Sequence, residues 1–220
     1  MGITRRHAPP KFGISEVDPV RRLGPYFFKR AETPEEFEQI HRLNYETFVR
    51  EIPQHADIGT GQLVDKFHDK NIYMICVKEG QLVGMLCFHD KPPFSAADRM
   101  PNPELLSQPG MRPLEVRLMT VIPDERKSPT LIGLVWVLNE YAREHGHTHF
   151  LISSIDSQRE LHRHLGFEPL GPDVGPPQAR FAPMIATMAQ VDVAMGKSIR
   201  LIELRMNRSL KSKELVRNDA

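Results

Sequence analysis

PLEVRLMTVIPDERKSPTLIGLV, residues 113–135, is the stretch on which the fold turns. Leu114, Val116 and Leu118 alternate with Glu115, Arg117 and Met119, the two-residue period of a strand with a different chemistry on each side. Pro123 ends that strand and a charged turn follows. Ser128 then caps a helix with Pro129 at its first position. Leu131, Leu134, Val135, Leu138 and Tyr141 make the helix strongly apolar, and Gly146 stops it. The next strand follows in HTHFLISSID, residues 147–156. A strand, a covering helix and a second strand predict a crossover between parallel neighbours. The turn has the outline of an anion-binding loop without glycine. Arg126, Lys127 and Ser128 precede a helix N-terminus, where free N–H groups and the helix dipole attract phosphate. Pro129 removes one of those donors.

Working outward, residues 1–24 are rich in Pro, Arg and Gly without periodicity and read as a flexible basic arm. From residue 25 the pattern is globular to about 190, and residues 191–220 read as a helical tail. Pro25–Glu32 reads as a first strand. Thr33-Pro34-Glu35-Glu36 supplies a cap, a first-position proline and acids for the first turn. The helix that follows carries Phe37, Ile40, Leu43, Tyr45 and Phe48 and ends before Pro53. A long loop over 52–69 leads to a hairpin, Ile72–Val77 and Leu82–His89, turning at Glu79-Gly80. Both hairpin strands are apolar on both faces, which predicts a covered, central place. Residues 90–113 hold six prolines and read as an extended surface loop, either a wall beside a site or a solvated insertion. SQRELHRHLG is a short helix stopped by Gly166, FEPLG a strand, and ARFAPMIATM a last strand. Alternating strands and helices make this an α/β chain with one mixed sheet flanked by helices.

Composition narrows the function. Lys and Arg number 29 against 28 Asp and Glu, so net charge points to neither nucleic acid nor an anionic membrane. No apolar run approaches the roughly 20 residues of a membrane span. The N-terminus lacks a secretory core, and Arg6 stands where a myristoylation pattern needs Ser or Thr, so a cytoplasmic protein is expected. Cys76 and Cys87 do not form a disulfide framework. A tight hairpin puts Cys76 opposite Val83 and Cys87 opposite Ile72, and both read as buried hydrophobes of a reduced compartment. His145, His147 and His149 straddle a helix end and a strand start, and no metal-ligand spacing occurs, so no metal is expected.

The order of elements and two local signatures resemble the GNAT acyltransferase superfamily. One signature is Val121-x-Pro123 with Arg126 and a long helix; the other is Leu161, Leu165, Gly166 and Phe167 closing a short helix before a strand. RLNYETFVREI and LVDKFHD are similar to segments of acyl-homoserine-lactone synthases and long-chain N-acyl amino acid synthases, with Phe48, Asp65 and, shifted by one residue, Asp69 matching. Asn44 and Cys87 stand where that subgroup favours Arg. The resemblance implies an N-acyltransferase that moves an acyl group from acyl-CoA or acyl carrier protein to a small-molecule amine. It implies donor contacts at Val121, Arg126, Lys127, Ser128 and Thr130, and acceptor contacts at Phe48, Asp65, Asp69 and Arg117.

Amine acylation needs a base for the ammonium proton and an acid for the leaving thiolate. Glu115 is the candidate base, with Arg117 two residues on to grip an acceptor carboxylate. The same two residues also suit a structural ion pair, and a close Arg lowers the Glu pKa. His162 stands where many GNAT enzymes carry a Tyr proposed as general acid, and an imidazole can supply a proton near neutral pH. No side chain sits in an activated nucleophile's setting, so direct attack by the amine is expected. Two other functions fit: a non-catalytic GNAT module that binds an acyl carrier or partner domain, and a short-chain acetyl-CoA-dependent acetyltransferase. Met85, Leu86, Leu118 and Met119 serve either as acyl-tunnel lining or as plain core.

Overall fold

The computed structural model describes residues 21–175, 180–198, 200, 201 and 204. Strands β1 (Arg21–Leu23), β2 (Tyr26–Arg30), β3 (Ile72–Lys78), β4 (Gln81–His89), β5 (Pro113–Val121), β6 (His149–Ile155), β7 (Glu168–Pro169) and β8 (Phe181–Thr187) form one sheet. Their spatial order is β1-β2-β3-β4-β5-β6-β8-β7. Every pairing is antiparallel except β5 with β6, the crossover expected from residues 113–156. Helices α1 (Pro34–Tyr45) and α2 (Thr130–Glu144) cover opposite faces, and α3 (Arg159–His164) follows β6. A fourth helix, α4, begins at residue 188.

Local chemistry sets the ends of these elements. Thr33 caps α1 in a reciprocal box with Glu36, and Pro34 follows it. Glu79 and Gly80 both take positive φ in the β3–β4 turn, which matches the strands' right-handed twist. The α1 helix does not simply run to Pro53: it widens into a π-helix at Glu46–Glu51. The α2 helix starts at Thr130, two residues after Ser128, whose hydroxyl accepts the Thr130 N–H at 3.1 Å. Leu114, Leu134, Leu138, Phe150 and Phe28 form the core beneath α2, and Ile40, Phe48, Ile75, Met85 and Leu118 form the one beneath α1. Gly133 lets α2 lie on Phe28, because a Cβ there would stand 2.2 Å from the ring.

Several expectations change. Residues 21–23 belong to β1, so the arm stops short of 24, and its first 20 residues lie outside the described part. Val191 and Met195 are buried in the α2-side core, so the domain continues past 190; residues 205–220 are outside the described part. A β3–β4 irregularity at Cys76/Val77 moves the hairpin register by one. Cys76 faces Gly84, and Cys87 faces Tyr73. Both thiols are buried, and burial pushes Cys76 up to about 12. A second irregularity, at Cys87/Phe88, pairs Phe88 with Val116 and Cys87 with Leu118, leaving Arg117 as the extra residue of β5. The alternation therefore inverts. Leu118 joins the α1 side, and Met119 joins Leu114 and Val116 on the α2 side. Residues 90–112 are more than a solvated insertion: most are exposed, but Phe94, Ala96, Met100 and Leu106 pack over Leu151 as a third core. No helix among the described residues is long and apolar enough to cross a membrane.

Candidate functional site

Parallel pairing of β5 with β6 runs only from Pro113↔His149 to Glu115↔Leu151. Beyond that the strands diverge, although β5 continues to Val121 and β6 to Ile155. A cleft of about 420 Å³ fills the gap. Val116, Leu118, Met119 and Val121 line one side, Ile152, Ile155, Leu161 and His162 the other, and Thr47, Phe48 and Ile52 the α1 end. Divergence leaves backbone groups on the β5 and β6 edges without strand partners among the described residues, and such groups are strong and obligatory hydrogen bonders. The lining is mainly apolar with a few polar groups, and the size suits a small molecule.

His162 reaches the cleft from α3. Its Nδ1 lies 2.7 Å from Ser154 Oγ, and burial lowers its pKa from the usual imidazole value. Ser154 is fully buried, and its hydroxyl also donates to the Ile155 carbonyl at 3.3 Å. With Nδ1 so engaged, Nε2 is the ring nitrogen left for the cleft. Ser154 escaped the sequence reading, although a serine on the Phe150/Ile152 face of a strand was a usable signal.

Arg117 also lines the cleft. Its Nη2 donates to Asp65 at 3.1 Å, its Nη1 donates to Ser95 Oγ, and its buried Nε has no partner among the described residues. The guanidinium lies over the Phe67 ring, 5.0 Å from its centroid. Asp65 is held in turn by the Phe67 N–H and by Asn71, at 2.7 and 3.2 Å. Asp69, by contrast, is exposed in a short 3₁₀ turn and takes no part.

Glu115 is not on the cleft wall. It is 1% exposed and accepts from Ser95 N–H, Ser95 Oγ and Ala96 N–H at 2.7–2.8 Å, with His89 Nε2 3.1 Å away. Burial alone would raise its pKa; His89, the Ser95 donors and Arg117 outweigh it and hold the carboxyl at about 2. Glu115 and Arg117 do not pair directly. Ser95 Oγ joins them, donating to the carboxylate and accepting from the guanidinium.

The donor-side residues divide. Val121 lines the cleft and its carbonyl accepts from Arg126 Nε at 3.2 Å. Arg126 stands at the mouth, where both of its Nη atoms are taken by Glu51 in a bidentate pair. Lys127 is exposed, and Ser128 is occupied by the helix start. Thr130 is fully buried against Gly84 and Cys76, away from the cleft. Of the tunnel candidates, Leu118 and Met119 line the cleft, whereas Met85 and Leu86 are core. Asn44 is wholly buried, and neither amide atom has a partner among the described residues. His145, His147 and His149 do not converge: the first bonds Tyr141 O, the last Thr148, and His147 faces a different cavity.

No protein-family model and no curated protein sequence matches the chain. Solved structures do match. The CoA-dependent acyl-homoserine lactone synthase BjaI, with SAM and isopentyl-CoA, superposes with a TM-score of 0.60 at 18% identity, over 74% of this chain and 82% of that one. FeeM, an N-acyl amino acid synthase from uncultured soil microbes, gives 0.62 at 14% identity, over 80% and 96%. The acyl-homoserine lactone synthase LasI gives 0.61 at 14% identity, over 77% and 92%. At these identities the likeness establishes the fold, and the fold is theirs.

Proposed function

We propose that this chain is an N-acyltransferase that holds an acyl thioester in the β5–β6 cleft and passes the acyl group to a small amine. The observation that carries the reading is the divergence of two parallel strands around an apolar cleft with an imidazole on its wall. A thioester arm bearing amides can lie along β5 as an added strand, taking the backbone groups that β6 leaves unpaired. The amine attacks the thioester carbonyl carbon, and the carbon–sulfur bond then breaks.

His162 is the base in this scheme. The Ser154 hydroxyl, donating to the Ile155 carbonyl, accepts from Nδ1–H and leaves the Nε2 lone pair for the amine's proton. Its lowered pKa keeps it neutral at pH 7, and the proton it takes passes to the departing thiolate. Arg117 sets positive charge on the opposite wall, where it attracts an acceptor carboxylate, as in an amino acid. Asp65 and Ser95 fix its plane. Glu115 anchors this wall rather than moving protons.

FeeM and BjaI, which share the fold, are named for N-acyl amino acid and CoA-dependent acyl-homoserine lactone synthesis, and both names fit an acyl donor in this cleft. Acyl carrier protein is the donor that we favour. Glu51 balances the charge of Arg126 in a bidentate pair, which leaves the mouth with little attraction for the several phosphates of CoA. Replacing His162 with Asn should cut amine-dependent thiol release by about 10²-fold while leaving donor affinity within roughly twofold. Stopped-flow thiol detection beside calorimetric donor binding checks this. Unchanged release in the variant removes His162 from the chemistry.

A further inference from the structure

Residues 63–71 form a strap between α1 and the cleft wall, tied down at both ends. At the cleft end, Asp65 accepts from Arg117 at 3.1 Å. Lys70 Nζ there donates to the Lys91 and Pro93 carbonyls at 2.8 and 2.6 Å. At the α1 end, the Leu63 N–H donates to the His41 carbonyl at 2.9 Å. The His68 ring stands edge-on to the His41 ring, with centroids 5.0 Å apart. Phe37 packs edge-on against His68 at 5.5 Å, and Tyr73 Oη lies 3.0 Å from His68 Nδ1. Two imidazoles in an aromatic cluster therefore seat the strap on the helix.

The neighbouring charges are engaged elsewhere or exposed. On α1, Glu38 and Arg42 take each other at 2.6 Å on the surface. On the strap, Asp65 is turned to Arg117, the Phe67 N–H and Asn71, and Lys66 lies over the Phe67 ring. Lys70 is held by its two carbonyls, and Asp69 is exposed. From β3 the titratable group is Tyr73, whose phenol burial pushes up and so keeps neutral.

His41 makes this seat sensitive to protons. Its Nε2 is buried with no partner among the described residues. A neutral imidazole carries one proton, but the cation carries a proton on each nitrogen. Protonation therefore places an N–H on buried Nε2 without an acceptor, beside a second ring that can also take charge. Burial and His68 both lower the His41 pKa from the usual 6.5.

We propose that the His41–His68 pair makes the strap acid-sensitive: it seats on α1 while His41 is neutral and lifts when His41 is protonated, taking Asp65 off Arg117. The device does not depend on which reaction the cleft runs, and it links pH to a side chain on the cleft wall. Because seating depresses the His41 pKa, the seated form keeps its full stability above pH 6.5 and loses it as pH falls below that value. One linked proton eases opening by up to about tenfold per pH unit.

The test is hydrogen exchange by NMR from about pH 7.5 to about pH 5, with protection taken relative to the intrinsic rate at each pH. The Leu63 N–H should lose about tenfold protection below pH 6.5, and the Asp65 carboxyl carbon signal should move over the same range. The Gly133 N–H, bonded to the Pro129 carbonyl at the start of α2, should keep its protection. His41→Phe retains the aromatic contact and cannot take a proton, so its Leu63 protection should stay within roughly twofold throughout. His41→Gln should do the same, and serves if the Phe variant folds poorly. Three results overturn the proposal: constant Leu63 protection in the wild type, the same loss in the variants, or an equal loss at Gly133. The last means that acid loosens the whole domain rather than the strap.

Discussion

Glu115 illustrates how a single carboxylate can be committed to structure. It takes three hydrogen bonds from Ser95 and Ala96, and these close residues 94–97 down on β5. A folded pKa near 2 against an unfolded value of 4.5 makes the ionised form part of the fold. Because the folded pKa is depressed, the stabilisation is complete above pH 4.5 and disappears as pH falls toward 2. The shift corresponds to about 3 kcal/mol. Glu115→Gln should therefore unfold at lower urea at pH 7 by about that energy, and lose less stability than the wild type between pH 4.5 and 2. Chemical denaturation across that range checks it. Intact stability with lost turnover would return Glu115 to the chemistry. The residue type was legible in the sequence, but its partners were not, since Ser95 lies 20 positions away in a proline-rich stretch with no pattern to place it. His162 was easier to foresee, because a short helix closed by Leu165-Gly166-Phe167 fixes where its side chain stands.

Among the elements, those fixed locally were legible and those fixed by a neighbour were not. Thr33-Pro34, Glu79-Gly80, Gly146 and Gly166 act within a few residues, and each ends or starts an element as its chemistry dictates. The two β-bulges depend on the partner strand. The one at Arg117 is what turns the guanidinium's strand position into an extra residue beside the diverging edge. The α2 crossover depends on Gly133, where the ring of Phe28 occupies the place of a side chain. Gly133→Ala gains about 1 kcal/mol of helix propensity but overpacks Phe28 by about 1–3 kcal/mol. The net effect should lower the melting temperature by about 2–5 °C in a thermal scan. A rise instead would mean that α2 moves away from β2 freely.

Across the whole molecule, the cleft joins the two helical layers, and the Glu51–Arg126 pair ties the π-helix end of α1 to the β5–α2 turn at its mouth. Both side chains are partly exposed, so the pair adds little to stability. It does set the charge at the mouth of the cleft. Glu51→Gln should leave melting unchanged and lower the KM for acyl carrier protein or acyl-CoA severalfold, with a smaller effect at high salt. Steady-state kinetics at two ionic strengths measures it, and a raised KM would make Glu51 a donor contact instead. If the carrier-protein preference holds, acyl-CoA gains more from this substitution than acyl carrier protein does.

The most direct test of acyl transfer is amine-dependent thiol release, measured with acyl carrier protein, long-chain acyl-CoA and acetyl-CoA against a panel of amino acids. The account predicts release that requires the amine and matches an N-acyl product in amount by mass spectrometry. Donor bound without any amine-dependent release would contradict it, and would make the chain a binding module on an acyltransferase fold.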